Sequence, residues 1–105
     1  MKTVEYQGVT YPVDDEGFLL DPNLWDANWV EMIQKNEDLD EVTDDHLEVM
    51  RLLRDFNEAR GHPPRVRDMT LATGFKLKHI YELFPSGPGK GACKMAGLAK
   101  PEGCA

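Results

Sequence analysis

Residues 43–61 read TDDHLEVMRLLRDFNEARG, and this stretch decides the fold class. Thr43 is an N-capping residue type, and Asp44 and Asp45 sit at the positive end of the helix dipole that follows. Val49, Leu52, Leu53, Phe56 and Ala59 recur at helical spacing, and Gly61 with Pro63-Pro64 stops the run. A long amphipathic helix must be covered along its apolar stripe by other elements. Both flanks supply them.

Downstream, Pro64 is suited to be the first residue of a helix reaching about Ala72. Thr73-Gly74-Phe75 makes a tight turn. Leu77, Ile80, Tyr81 and Phe84 then fall at i, i+3, i+4 and i+7, which predicts a further helix with these side chains buried, ended by Pro85. Upstream, Asp26 caps a helix carrying Trp29, Val30 and Ile33 inward, and Asp21-Pro22 opens a short turn. Val4-Glu5-Tyr6 and Val9-Thr10-Tyr11 flank Gln7-Gly8 as a β-hairpin, which Asp14-Asp15-Glu16-Gly17 ends. Trp25, Trp29, Phe56, Tyr81 and Phe84 are expected as core aromatics. The expected fold is mainly α: a small orthogonal helical bundle with a helix-turn-helix-like pair, a short N-terminal β-hairpin and a flexible C-terminal arm.

The chain has 105 residues, enough for one domain with its own core, and a net charge of −7. The charge is uneven. Residues 85–105 hold Lys90, Lys94 and Lys100 against Glu102, a side-chain balance of +2, so the other 84 residues carry −9. An acidic body disfavours general nucleic-acid binding. Met1-Lys2-Thr3-Val4-Glu5 lacks the apolar stretch of a secretory signal, so a reducing cytoplasm is the expected location.

After Phe84 the composition changes. The last 21 residues contain five of the nine glycines and three of the seven prolines, and their only large apolar side chains are Met95 and Leu98. So little apolar area does not offset backbone ordering at about 1–2 kcal/mol per residue. The chain therefore divides into a helical body, 1–84, and a Gly/Lys-rich arm, 85–105, expected to be mobile unless a partner holds it, with a helical turn within 90–98.

Both cysteines, Cys93 and Cys104, lie in this arm. A bond between them closes a loop within the arm and staples no separate parts of a core together, and they lack the paired spacing of a structural zinc site. The pattern fits a redox pair. Eleven residues of chain extend ~36–40 Å or fold back, so Cys104 can enter a partner's active site and return to Cys93. Lys94 and Lys100 favour the nucleophilic thiolate, and a tethered second thiol attacks at high effective concentration. In an arm outside the core, removing either cysteine is expected to leave stability nearly unchanged.

The run Gly74-Phe75-Lys76-Leu77-Lys78, then residues 81–98 (YELFPSGPGKGACKMAGL), Lys100-Pro101 and Gly103-Cys104 resembles the DsrC family, as do Val13-Asp14, Gly17-Phe18-Leu19 and Trp29. That family includes the gamma protein of dissimilatory sulfite reductase. The resemblance implies a sulfur carrier whose arm enters the alpha and beta subunits of the reductase. Sulfite-derived sulfur leaves as a trisulfide between the cysteines, which a membrane-bound electron-transfer complex reduces to sulfide. On this chain it makes Cys104 the sulfur-accepting residue and Cys93 the resolving one, with Lys90, Lys94 and Lys100 toward the partner. The chain itself binds no cofactor and no metal. Sirohaem and iron–sulfur clusters belong to the partner subunits, since two cysteines are too few for a four-cysteine cluster. The TusE relatives, which relay sulfur for tRNA thiolation, typically lack the upstream cysteine, so Cys93 points to the dissimilatory branch.

A different reading rests on residues 60–84, where five Lys/Arg face two Asp/Glu. Arg65, Arg67, Lys76 and Lys78 form a docking or nucleic-acid surface on the helix-turn-helix-like pair. No Asn or Gln on the second helix can read adenine, so a DNA-binding regulator is the alternative and not the main reading.

Overall fold

The structure is a computed structural model that describes residues 2–103. The hairpin follows its turn chemistry. Strands β1 (Lys2–Tyr6) and β2 (Val9–Val13) pair antiparallel with Tyr6 opposite Val9 and Lys2 opposite Val13, and Gln7 and Gly8 supply the two positive φ angles of the turn. The acidic run after β2 is ordered by its own first residue. The Asp14 carboxylate accepts the backbone N–H groups of Glu16 and Phe18, both at 2.9 Å, and the chain returns to bridge Leu19 to Val13.

Asp21 caps a 3-10 turn at Pro22–Leu24, and Asp26 caps α1 (Ala27–Asn36) by accepting Trp29 N–H at 2.8 Å. The same Asp26 oxygen accepts the Tyr11 hydroxyl at 2.6 Å, fastening the hairpin to α1. Burial, and then this carboxylate, raise the Tyr11 phenol above its ordinary pKa of 10.0. Trp29, Met32 and Ile33 face the core, while Val30, expected inward, is half-buried.

Thr43 caps α2 (Asp44–Arg60) as expected, and Gly61 ends it. The reciprocal partner in the capping box is His46, an N3 residue more often Glu or Gln. Its Nδ1 accepts the Thr43 N–H at 3.0 Å, so the ring proton sits on Nε2, which donates to the Leu83 carbonyl at 2.6 Å. One buried histidine thus joins the start of α2 to Leu83. The buried stripe of α2 is His46, Val49, Met50 and Leu53; Leu52 and Phe56 are half-buried and Ala59 is exposed.

Two expectations for the second half are corrected. Pro64 does not begin a helix. Arg65 is still extended (ψ 156°), and helical structure starts with a 3-10 turn at Val66–Asp68 leading into α3 (Met69–Thr73). The cause is tertiary: Val66 N–H donates to the Glu102 carbonyl at 3.1 Å, which keeps this stretch alongside the C-terminal segment. In α4 (Leu77–Leu83) the buried side chains are Ile80 and Leu83, followed by Phe84, whereas Leu77 and Tyr81 are 40% and 49% exposed. The helix stops before Phe84, which is extended (φ −128°), so the seven-residue phase assumed for that face breaks there. Tyr81 instead lies over Gly87.

A second histidine ties α4 to α2 from outside. His79 places Nε2 2.9 Å from Asp45 and Nδ1 3.1 Å from Glu82. These two hydrogen bonds, Asp45 foremost, raise its pKa above 6.5. A raised folded-state pKa contributes stability that is fully present below the unfolded value and lost as pH rises through the folded one. The excess in Tm of the native chain over His79→Gln should therefore be greatest near pH 6 and shrink on going alkaline. Equal Tm differences across that range, by thermal denaturation, would refute the assignment.

Candidate redox site

The segment after Phe84 was expected to lie outside the core. Its residues 87–89, 91–93 and 95–98 are buried instead, with Ala92, Cys93, Met95, Ala96 and Leu98 at 0–1% exposure. Pro88–Cys93 is a six-residue π-helical turn that runs into one further helical turn and ends at Gly97. The end is a Schellman motif: Gly97 N–H donates to Lys94 O at 3.1 Å and Leu98 N–H to Cys93 O at 3.0 Å. The predicted helical turn within 90–98 is therefore present, in a form too wide for an ordinary α-helix.

Side chains from the body hold this segment by its backbone. Trp29 Nε1 donates to the Lys94 carbonyl at 2.8 Å, Trp25 Nε1 to Met95 at 2.9 Å and Arg54 to Ala96 at 2.9 Å. Three successive carbonyls at a helix end, where intrahelical partners run out, are thereby satisfied by N–H groups from α1, the turn before it and α2. Arg54 also donates to Pro22 O at 3.1 Å and stacks its guanidinium 4.2 Å from the Trp25 ring centroid; partial burial lowers its pKa below the usual arginine value. Sequence reading missed Arg54 and His46. Their only signal was a charged or polar residue on the inward side of a helical repeat. The entry of the segment is held as well: Ser86 Oγ donates to Glu37 at 2.6 Å.

The close approach depends on small residues. A Cβ at Gly97 would stand 2.5 Å from Trp25 Cδ1, and its φ is +73°; one at Gly91 would stand 2.8 Å from Phe84 Cβ. The argument from few large apolar side chains fails for this reason. The segment joins the same buried cluster as Trp29 and Phe84 of the body, with Trp25 partly buried against it, and glycine and alanine are what let the backbone come so close.

The expected site residues are not gathered at one point. Cys93 is wholly buried at the end of the π-helical turn. Cys104 lies outside the described residues. Lys90 is exposed. Lys94 turns back to donate to the Glu16 carbonyl at 2.8 Å, its ammonium 4.8 Å from the Phe18 ring centroid, and Lys100 pairs with the Glu16 carboxylate at 3.1 Å. Arg65, Arg67, Lys76 and Lys78 are exposed, the first of them paired with Asp68 at 2.9 Å. Among the described residues no three His, Cys, Asp or Glu side chains are grouped to hold a metal ion.

Comparison with known proteins decides the family. The model of DsrC-like proteins matches residues 5–105. This chain belongs to the DsrC family. It is 49% identical over 104 residues to the gamma subunit of dissimilatory-type sulfite reductase from Nitratidesulfovibrio vulgaris (strain Hildenborough), covering 99% of each chain. It is 32% identical over 108 residues to the sulfurtransferase TusE of Pectobacterium atrosepticum, covering 96% and 98%. A chain in the crystal structure of dissimilatory sulfite reductase I superposes with a TM-score of 0.87 at 47% identity, over 99% of this chain and 100% of that one. The helical fold with a short N-terminal hairpin is the DsrC fold.

Two expectations follow for the stability of the packed segment. Gly97→Ala combines a left-handed backbone with overpacking against Trp25 and should lose about 2–5 kcal/mol in denaturant unfolding. The earlier expectation that Cys93 is dispensable for stability is revised by its burial: Cys93→Ala should cost about 1 kcal/mol, as for other single-heavy-atom deletions in a core. Unfolding midpoints equal to the native chain's would contradict both.

Proposed function

We propose that this chain is a sulfur-carrier protein of dissimilatory sulfur metabolism that takes sulfite-derived sulfur from dissimilatory sulfite reductase onto Cys104 and Cys93. The observation that supports it most is the likeness to the gamma subunit, 49% identity over nearly the whole of both chains, with both thiols present in the C-terminal segment. The chain acts as a thiol-bearing co-substrate, not as an enzyme by itself. Its partners are the alpha and beta subunits, which hold the sirohaem and iron–sulfur clusters, and then a membrane-bound complex that reduces the loaded carrier. No helix among the described residues is long and apolar enough to cross a membrane; the cytoplasm is the proposed setting.

Sulfur enters as sulfite, at oxidation state +4, and rests in a trisulfide at zero. Each thiol gives up one electron and the reductase supplies the remaining two, with oxygen leaving as water. Four further electrons and four protons release sulfide and restore both thiols. The wholly buried Cys93 gives this scheme an order. Cys104 is loaded away from the body, and the second bond forms when it returns to Cys93. Without unpacking Leu98, the chain from there to Cys104 spans at most about 20 Å; freeing residues 94–98 as well extends the reach to the full distance from Cys93. The exposed cations Lys90, Arg65, Arg67, Lys76 and Lys78 are the proposed docking face for the reductase.

The test is turnover of the reduced chain with the reductase and sulfite, followed by intact-mass spectrometry. The expected product carries one added sulfur and has lost two hydrogens. Cys104→Ala should abolish loading. Cys93→Ala should stop at an adduct on Cys104 alone, reversible by external thiol. Native-like loading of Cys104→Ala would refute the scheme, and tight salt-sensitive duplex binding unaffected by loss of both cysteines would favour the DNA-binding alternative.

A further inference from the structure

The two lysines nearest the cysteines, Lys94 and Lys100, are occupied by the protein itself. The turn after the hairpin, ordered by Asp14, presents Glu16 to them. Lys94 Nζ donates to the Glu16 carbonyl at 2.8 Å, and Lys100 Nζ lies 3.1 Å from both oxygens of the Glu16 carboxylate. The chain then continues to Glu102, whose carbonyl accepts Val66 N–H. Residues 99–103 contribute little apolar burial, since Ala99, Glu102 and Gly103 are exposed and only Pro101 is buried. Polar contacts at Lys100 and Glu102 are therefore most of what holds this stretch to the body.

We infer that Glu16 is an ionic latch, an intramolecular carboxylate that occupies Lys100 and must be exchanged for an acidic group of the partner when the arm docks. This rests on the proposed carrier function for its purpose, though the latch is testable without the reductase. Around the pair, Lys94 lies against the Glu16 backbone, and His62 and Glu102 line a cleft with Lys100. An ion pair open to solvent is screened by salt, so ionic strength is the direct control on the latch. The pair is partly exposed, Lys100 at 28% and Glu16 at 47%. Such pairs are weak, as a latch that opens on encounter must be. A partner that favours the open arm binds more tightly in proportion to the open population, so weakening the latch should raise apparent affinity by the same factor.

Val66 N–H is a built-in reporter, because its acceptor lies on the latched segment. In the reduced full chain at low salt, Glu16→Gln and Lys100→Gln should each speed hydrogen exchange at Val66 by about two- to fivefold. Raising salt to ~0.5 M should bring the native chain close to the variants and leave Glu16→Gln nearly unmoved. Val66 exchange equal in native and variant chains overturns the latch. So does faster exchange in Glu16→Gln with no salt response in the native chain, which would point to loss of the turn and not of the ion pair. Affinity for the reductase should rise in Glu16→Gln by the factor seen in exchange. Failure of both proteins to bind it, beside an intact exchange difference, would count against the carrier reading while the latch stands.

Discussion

The structure depends on three side-chain N–H groups meeting three consecutive carbonyls. Trp29, Trp25 and Arg54 capture Lys94, Met95 and Ala96 by the backbone, at the end of a helical segment, where intrahelical partners run out. Net, such bonds contribute about 0.5–1.5 kcal/mol each, but a buried carbonyl left without one costs more than that. The arrangement selects this conformation of the segment over alternatives that strand the same groups. It also ties the two ends of the chain together, 65–70 residues apart in sequence.

Capture by the backbone explains an unusual composition. A segment held through its side chains needs large apolar residues; one held through its carbonyls needs small ones, so that indole and guanidinium can reach the main chain. Gly97 lets the Trp25 indole in, Gly91 lets the chain lie against Phe84, and the wide π-helical turn at Pro88–Cys93 is the backbone form taken by PGKGAC there. Cys93 is at its end, deep in the core. For the proposed carrier function this would divide the labour along one short stretch: the resolving thiol is Cys93, stored inside the body, and the accepting thiol follows chain that beyond Leu98 is fastened mainly by polar contacts.

Much of this was legible from residue types. The Gln7-Gly8 turn, the Asp21, Asp26 and Thr43 caps, the Gly61 and Gly74 stops and the inward positions of Trp29 and Ile33 all follow local rules, and the structure has them. The resemblance to the DsrC family, carried by residues 74–104, identified the family that comparison then matched over residues 5–105. Less legible was which side of a helix ends up inside once the helix is short. In α4 the pattern through Tyr81 and Phe84 spans the helix end, and Tyr81 turned outward. His46 could be seen as a polar residue on an apolar stripe, but its acceptor, the Leu83 carbonyl, is 37 residues away.

By itself, the order of residues determined where helices and the hairpin begin and end, because caps, turns and periodicity act over a few neighbours. It also placed two thiols and the nearby cations late in the chain. Only the tertiary structure decided that the segment from Gly87 to Leu98 packs, that Pro64 opens no helix, and that Lys94 and Lys100 face Glu16. Each of these is settled by a hydrogen-bond partner or a ring more than thirty residues distant. Whether a glycine-rich stretch stays outside a core depends less on the area it brings than on the surface waiting to receive it.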